Sequence, residues 1–239
     1  MNPPASGLWV YLSASPLTWL TVTLAAYWLA DSLAARLGRH PLANTVVMAA
    51  GLIVAVLAAT GTPYATYFGG AQFVHFLLGP ATVALAVPLW RNLAHVRRAL
   101  PAMAAALLAG SVTAASSAVA IAWAFGAPRE VLASLAPKSV TAPIAMELAR
   151  NLGGLPALAA VLVIATGIIG AVIVMPLMNA LKIRNDAARG FAAGVASHGI
   201  GTARAFQVSE IAGTFAGIAM GLNGALTSLL VLGWLALMR

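Results

Sequence analysis

Residues 131–148 read VLASLAPKSVTAPIAMEL. The stretch is apolar enough to enter a membrane, yet Pro137, Lys138 and Pro143 fall in its middle. Proline removes a backbone donor and clashes with the preceding turn, so one continuous helix is a poor fit. The flanks decide how the stretch is used. Arg91, Arg97 and Arg98 precede the apolar run 102–125, and Lys182, Arg184 and Arg189 follow the run 155–181. Basic residues gather on the cytoplasmic side of membrane proteins. A single crossing by 131–148 would put these two groups on opposite sides. Entry and exit on one side puts them together. The segment is therefore expected to be a re-entrant hairpin, whose irregular backbone needs protein or a wet cavity around it.

The rest of the chain agrees with a membrane setting. Of 239 residues, 62% are hydrophobic and 8% charged, and mean hydropathy is +0.94. Soluble domains carry about 25% charged residues. Thirteen basic and five acidic side chains cannot cover a water-soluble surface of this size. A soluble enzyme and a disordered chain are excluded, and the composition argues against nucleic-acid binding despite a pI of about 11.2. There is no Cys, hence no disulfide, thiolate metal site or Cys nucleophile. The apolar runs are continuous, which favours helices over a β-barrel. No cleavable signal peptide is expected, because the first sixteen residues are uncharged.

About 20 apolar residues cross the hydrocarbon core. Residues 17–35, 45–60, 102–125, 155–181 and 211–238 read as spans. Residues 73–90, 131–148 and 190–206 are apolar but interrupted. The expected architecture is all-α: a polytopic helical bundle with inverted repeats and broken or re-entrant helices, in one domain over 1–239. An outside N-terminus places Arg36 and Arg39 inside. With 190–206 crossing, the C-terminus is expected inside too.

The chain also repeats itself. Arg91-Asn92-Leu93 followed by Leu100-Pro101-Ala102 is echoed by Arg150-Asn151-Leu152 followed by Leu155-Pro156-Ala157. The units are approximately 73–125 and 131–181, each a Pro-broken segment and a long span. Inverted repeats with interrupted helices in matching places are the pattern of secondary transporters.

Polar residues inside apolar segments are costly and usually face a cavity or one another. Lys138 is either an interfacial anchor at a hairpin tip or a buried cation that binds an anion or pairs with Glu147. Ser139 and Thr141 accompany it. His198, Gly199, Gly201, Thr202 and Arg204 form the most specific local cluster. The two glycines let a helix unwind, a half-helix starting near Thr202 would favour an anion, and Arg204 matches a carboxylate fork. Packed polar side chains or interface anchors are the plainer roles for His198 and Arg204. Thr82, in Gly79-Pro80-Ala81-Thr82, is a weaker candidate beside what is as readily a packing kink. His198 and Glu147 are the candidates for carrying a coupling proton. Asp31 is expected to pair with a nearby arginine, and the glycines from Gly213 to Gly224 to form a packing face. No metal site, cofactor, catalytic triad or P-loop is suggested, so the protein is not expected to be an enzyme.

Three stretches now carry a resemblance. FLLGPATVALAVPL (76–89), LAPKSVTAPIAME (135–147) and ASHGIGTARA (196–205) resemble, in order, the signatures of the LrgB/CidB family. The resemblance spans nearly the whole chain, with Ala136 departing from the leucine expected there. It implies an antiholin-like protein of the bacterial cytoplasmic (inner) membrane, similar to the membrane half of the plastid glycolate/glycerate translocator. It also implies small carboxylate substrates of the pyruvate kind and a small LrgA/CidA-type membrane partner.

Together these lead to a multi-pass secondary transporter of small monocarboxylates such as pyruvate, lactate, glycolate or glycerate, embedded in membrane lipid. A homodimer is the usual expectation. The alternative is an antiholin-like regulator of holin pores and murein hydrolase export, which needs no inverted repeat.

Overall fold

The structure is a computed structural model. It describes residues 14–40, 43–77, 80, 83–84 and 86–237, with side chains as far as 231. All regular structure among them is helical. The chain divides into two compact units, Met1–Ala84 and Leu85–Arg239.

In the first unit, α1 (Pro16–Arg36), α2 (Thr45–Thr60) and α3 (Tyr64–Phe76) pack together. Pro16 sits at the first turn of α1, where its missing N–H costs nothing. Asn44 caps α2 by accepting from the backbone of Val46 and Val47, and Gly61 ends it in the left-handed conformation. Gly70 lets α3 press onto α1, since a side chain there would strike Trp19 and the Pro16 carbonyl. Arg39 pairs with Asp31 at 3.0 Å, the structural pairing expected of that aspartate.

The second unit contains α4 (Ala86–Arg91), α5 (Leu93–Ala124), α6 (Arg129–Leu135), α7 (Ala142–Asn151), α8 (Pro156–Ala180), α9 (Asp186–Phe206) and α10 (Glu210–Leu237). Three described helices are long and apolar enough to cross a membrane: α5, α8 and α10. Their outer faces carry exposed Ile121, Trp123, Ile164, Ile169 and Leu229, a surface that suits lipid rather than water. Of the other expected spans, 17–35 is a helix of sufficient length but falls short of these three in apolarity, and 45–60 is a 16-residue helix.

Residues 131–148 do not form one helix. α6 has seven residues and α7 ten, about 10 and 15 Å of rise, against roughly 30 Å of hydrocarbon. Ser134 Oγ accepts from the Leu155 amide at 2.7 Å, so the path from 134 to 155 returns to where it began. In between it reaches Val163, eight residues along α8, where Val140 and Ala145 pack. This closed excursion has the shape of a hairpin.

The segment 190–206 differs from expectation. It does not cross. At His198 the backbone takes φ 40° and ψ −132°, which breaks α9 into two arms. Gly201 lies against Ser197 and the Ala193 carbonyl, so the second arm folds back on the first. Ser209 Oγ then donates to Asp186 at 2.7 Å, joining the two ends. The physical cause is the left-handed backbone at one residue, and the missing side chain of Gly201 leaves room for the arm to return against Ser197 and Ala193. Gly190 and Gly194 face Ala212 and Ala216, so α10 runs parallel to the first arm. The C-terminal end of α10 therefore lies away from Asp186 and Arg184, not beside them as the crossing would require.

The second unit thus contains two hairpins entering from opposite ends. α8 runs antiparallel to the first arm of α9, with Ser197 against Gly170 and Ala193 in one cluster with Val174 and Met175. α5 runs parallel to that arm, with Met103 beside Phe191 and Val195, and Gly110 facing Val195. Arg98 and Arg184 line the same groove between α5 and α9. The two basic groups therefore share an end, as the hairpin reading of 131–148 requires.

Candidate functional site

The two hairpin tips meet. Residues 136–140 form the tip of the first, held by backbone bonds from Lys138 to Leu135 and from Val140 to Pro137. His198 forms the tip of the second. Asn223 of α10 donates through Nδ2 to the Ser139 carbonyl at 2.9 Å and to the Val195 carbonyl at 3.3 Å. His198 Nε2 lies 2.9 Å from the Val163 carbonyl, and Val163 packs on Val140. One amide and one valine thus bridge both tips. Their freed polar groups are satisfied by protein, as low-dielectric surroundings demand.

Glycine spacing on α8 makes this closeness possible. Gly167 lies under the His198 ring, and Gly170 under Ser197. A methyl at either would collide with the tip. Ser197 is fully buried, and its Oγ has no hydrogen-bond partner among the described residues.

The predicted residues divide between the junction and other places. Lys138 Nζ donates to Ser139 Oγ at 3.2 Å. Among the described residues the ion pairs are Arg39–Asp31 and Arg150–Glu147, so no carboxylate neutralises Lys138. Glu147, one of the two partners considered for Lys138, is exposed and turned one helical turn along α7 to Arg150. Its i,i+3 neighbour is simply closer than the tip. Thr141 stands at the N-cap of α7 without a side-chain cap bond, leaving its hydroxyl available beside the helix N-terminus. Thr202 spends its proton on the His198 carbonyl at 2.8 Å. Gly201 is buried between the two arms and Gly199 is exposed near Met220.

Arg204 is not at the tip. It lies in the last turn of α9 and donates to Gln207 at 2.9 Å. The neighbouring Ala205 packs beside Val174 and Met175, whereas His198 sits on Val163. These places are about 16 Å apart along α8. Folding back of the second arm carries the guanidinium away from the junction. Thr82, with Gly79, lies outside the described residues.

Asn223 is the residue that the sequence did not flag. Its only signal is an amide side chain within the apolar helix α10, between Leu222 and Gly224.

The shape has a second feature. A groove of about 930 Å³ runs between α5 and α9. His95, Arg98 and Arg184 line one end, and Gly110, Ala114, Val195 and Ala196 the other. Val195 is the residue whose carbonyl Asn223 holds, so the groove leads from the basic end to the junction.

Comparison with known proteins assigns the family. The model of the LrgB-like family matches residues 23–237. An uncharacterised protein of Haemophilus influenzae is 32% identical, covering 87% of this chain and 90% of that one. YwbG of Bacillus subtilis is 34% identical over 80% of this chain and 84% of its own length. A protein named holin-like protein CidB, from Staphylococcus epidermidis, is 29% identical over 92% and 95%. No solved structure matches. The chain belongs to the LrgB-like family.

Proposed function

We propose that this LrgB-like membrane protein carries small organic carboxylates across the bacterial cytoplasmic membrane. The observation that supports it is the meeting of two opposed hairpins. The second arm of each hairpin begins at its tip, α7 after Thr141 and the second arm of α9 after His198. Helix N-termini attract anions, and an unneutralised Lys138 stands at the same place. Inverted halves built of a long helix and a hairpin, α5 with α6–α7 and α8 with α9, suit alternating access about a central site.

On this reading Lys138 neutralises the carboxylate, while Ser139 and Thr141 offer hydroxyls to its oxygens. His198 is the better proton-coupling candidate, since Glu147 faces away. Thr202 shapes the tip and does not bind substrate. A protein of this kind has no enzymatic step, and a homodimer or a small membrane partner is compatible with the exposed face of α5.

A second reading is favoured by a name. The CidB relatives are called holin-like, which suggests control of a membrane pore with a small LrgA/CidA-type partner. Proteoliposomes separate the two. Labelled pyruvate, lactate and glycolate are offered with and without a pH gradient, and release of an encapsulated dye is followed in parallel. Saturable uptake without dye release supports the carrier. Absent uptake, together with dye release that changes when the small partner is added, supports the pore regulator.

A further inference from the structure

We propose that Asn223 is a latch: a positioning residue that pins the tips of the two opposed hairpins to each other and to α5. The proposal rests on the carrier reading for its role in transport, but its geometry stands apart from that reading.

Asn223 is 1% exposed. Both protons of its amide are used, one on the Ser139 carbonyl and one on the Val195 carbonyl. Its oxygen accepts from Ser111 Oγ of α5 at 2.6 Å. One side chain therefore ties three separate pieces of the unit. The two carbonyls it holds are the kind that a broken backbone leaves over. Ser139 lies in the irregular turn between α6 and α7, and Val195 lies three residues before the break at His198. A buried amide is needed here because an unpaired carbonyl in such surroundings costs the full loss of its solvation. Packing alone would be served by leucine. Leucine would leave both carbonyls and the Ser111 hydroxyl without partners.

The latch has a chemical consequence for transport. The side chain joins elements that enter from opposite ends, so moving one hairpin past the other must break one of its two donor bonds or pivot on them. Asn223 thereby sets how readily the junction opens, without needing to touch substrate. Ser111 bonds only to the amide oxygen, so its loss leaves both donor bonds in place.

Hydrogen exchange on the purified full-length protein tests this directly. Asn223→Leu and Asn223→Thr are compared with Ser111→Ala. The expected result for Asn223→Leu is about tenfold faster exchange at the amides of 138–140 and 193–200, from losing donor bonds to two carbonyls. The core of α8 should stay unchanged. Ser111→Ala should keep tip exchange within about twofold of the parent, because the pinning bonds survive. Unchanged tip exchange in a folded Asn223 variant overturns the latch. So does faster exchange spread evenly over α5, α8 and α10, which marks a general packing role. Should Asn223→Leu fail to fold, Asn223→Thr gives the decision: its hydroxyl can restore one donor bond at most, so at least one of the two tips should still exchange about tenfold faster. Uptake assays on the same proteins should show a changed maximal rate with KM near the parent's. Exchange needs no substrate, so absent uptake in the parent would defeat the carrier reading and leave the latch to its own test.

Discussion

His198 is the residue on which the second hairpin turns. Its φ of 40° lies where side chains with a Cβ are strained, and such a residue costs about 1–3 kcal/mol. The ring offsets part of this with its contact to the Val163 carbonyl. Two substitutions separate strain from bond. His198→Ala loses the ring contact and keeps the strain, whereas His198→Gly loses the contact and relieves the strain. The glycine variant should be more stable than the alanine variant by roughly 1 kcal/mol, measured by thermal unfolding in detergent. Equal stabilities would mean that the reversal is not held against its backbone preference. Lys138 makes a functional demand at the same junction. Lys138→Ala should insert and fold like the parent yet lose uptake at least tenfold, because a partly buried cation without a carboxylate partner has an anion as its remaining complement. Normal uptake by the folded variant would make Lys138 an anchor.

The two hairpins differ in how openly the sequence declares them. The first was legible because prolines and charge speak locally. Pro137 and Pro143 forbid a continuous helix, and the positions of Arg98 and Arg184 forbid an odd number of crossings. The second was hidden, since 190–206 is a run of Ala and Gly that could equally continue as a helix. Gly199 and Gly201 indicated unwinding, but unwinding is not reversal. The reversal depends on contacts distant in sequence, Ser209 with Asp186 and Gly190 with Ala212, and no local pattern encodes them. For the same reason Arg204, which the sequence groups with His198 in one cluster, lies at the base rather than beside it. Single cysteines in this Cys-free chain can check the element order. Residues 127 and 153 should label from one side of the membrane with an impermeant reagent. Residues 186 and 208 should label from the other, since 208 lies beyond the returning arm. Labelling of 208 with 127 would restore the crossing and remove the second hairpin.

At the scale of the second unit, the question is which parts move. α9 and α10 share a close seam, with Gly190 and Gly194 under the Ala212 and Ala216 backbone. Such backbone-to-backbone packing between small residues holds helices tightly in lipid, so α9 and α10 should travel as one body. The contact between α5 and α9 is of another kind, because the two helices, though packed at Met103, Phe191 and Val195, also line a groove of about 930 Å³. Gly110 is one of the places where they touch, its methyl position 4.0 Å from Val195 Cβ. That separation falls within the range spanned by a disulfide. A Gly110→Cys, Val195→Cys pair should therefore oxidise readily and fasten the first arm of α9 to α5. If transport requires the groove to open and close, oxidation should reduce uptake at least tenfold and a reductant should restore it. Each single cysteine should be indifferent to both treatments. Full uptake by quantitatively oxidised protein would mean that α5 and the first arm of α9 stay together through the cycle. The moving boundary would then lie between the first hairpin and α8, where Val140 and Ala145 meet Val163.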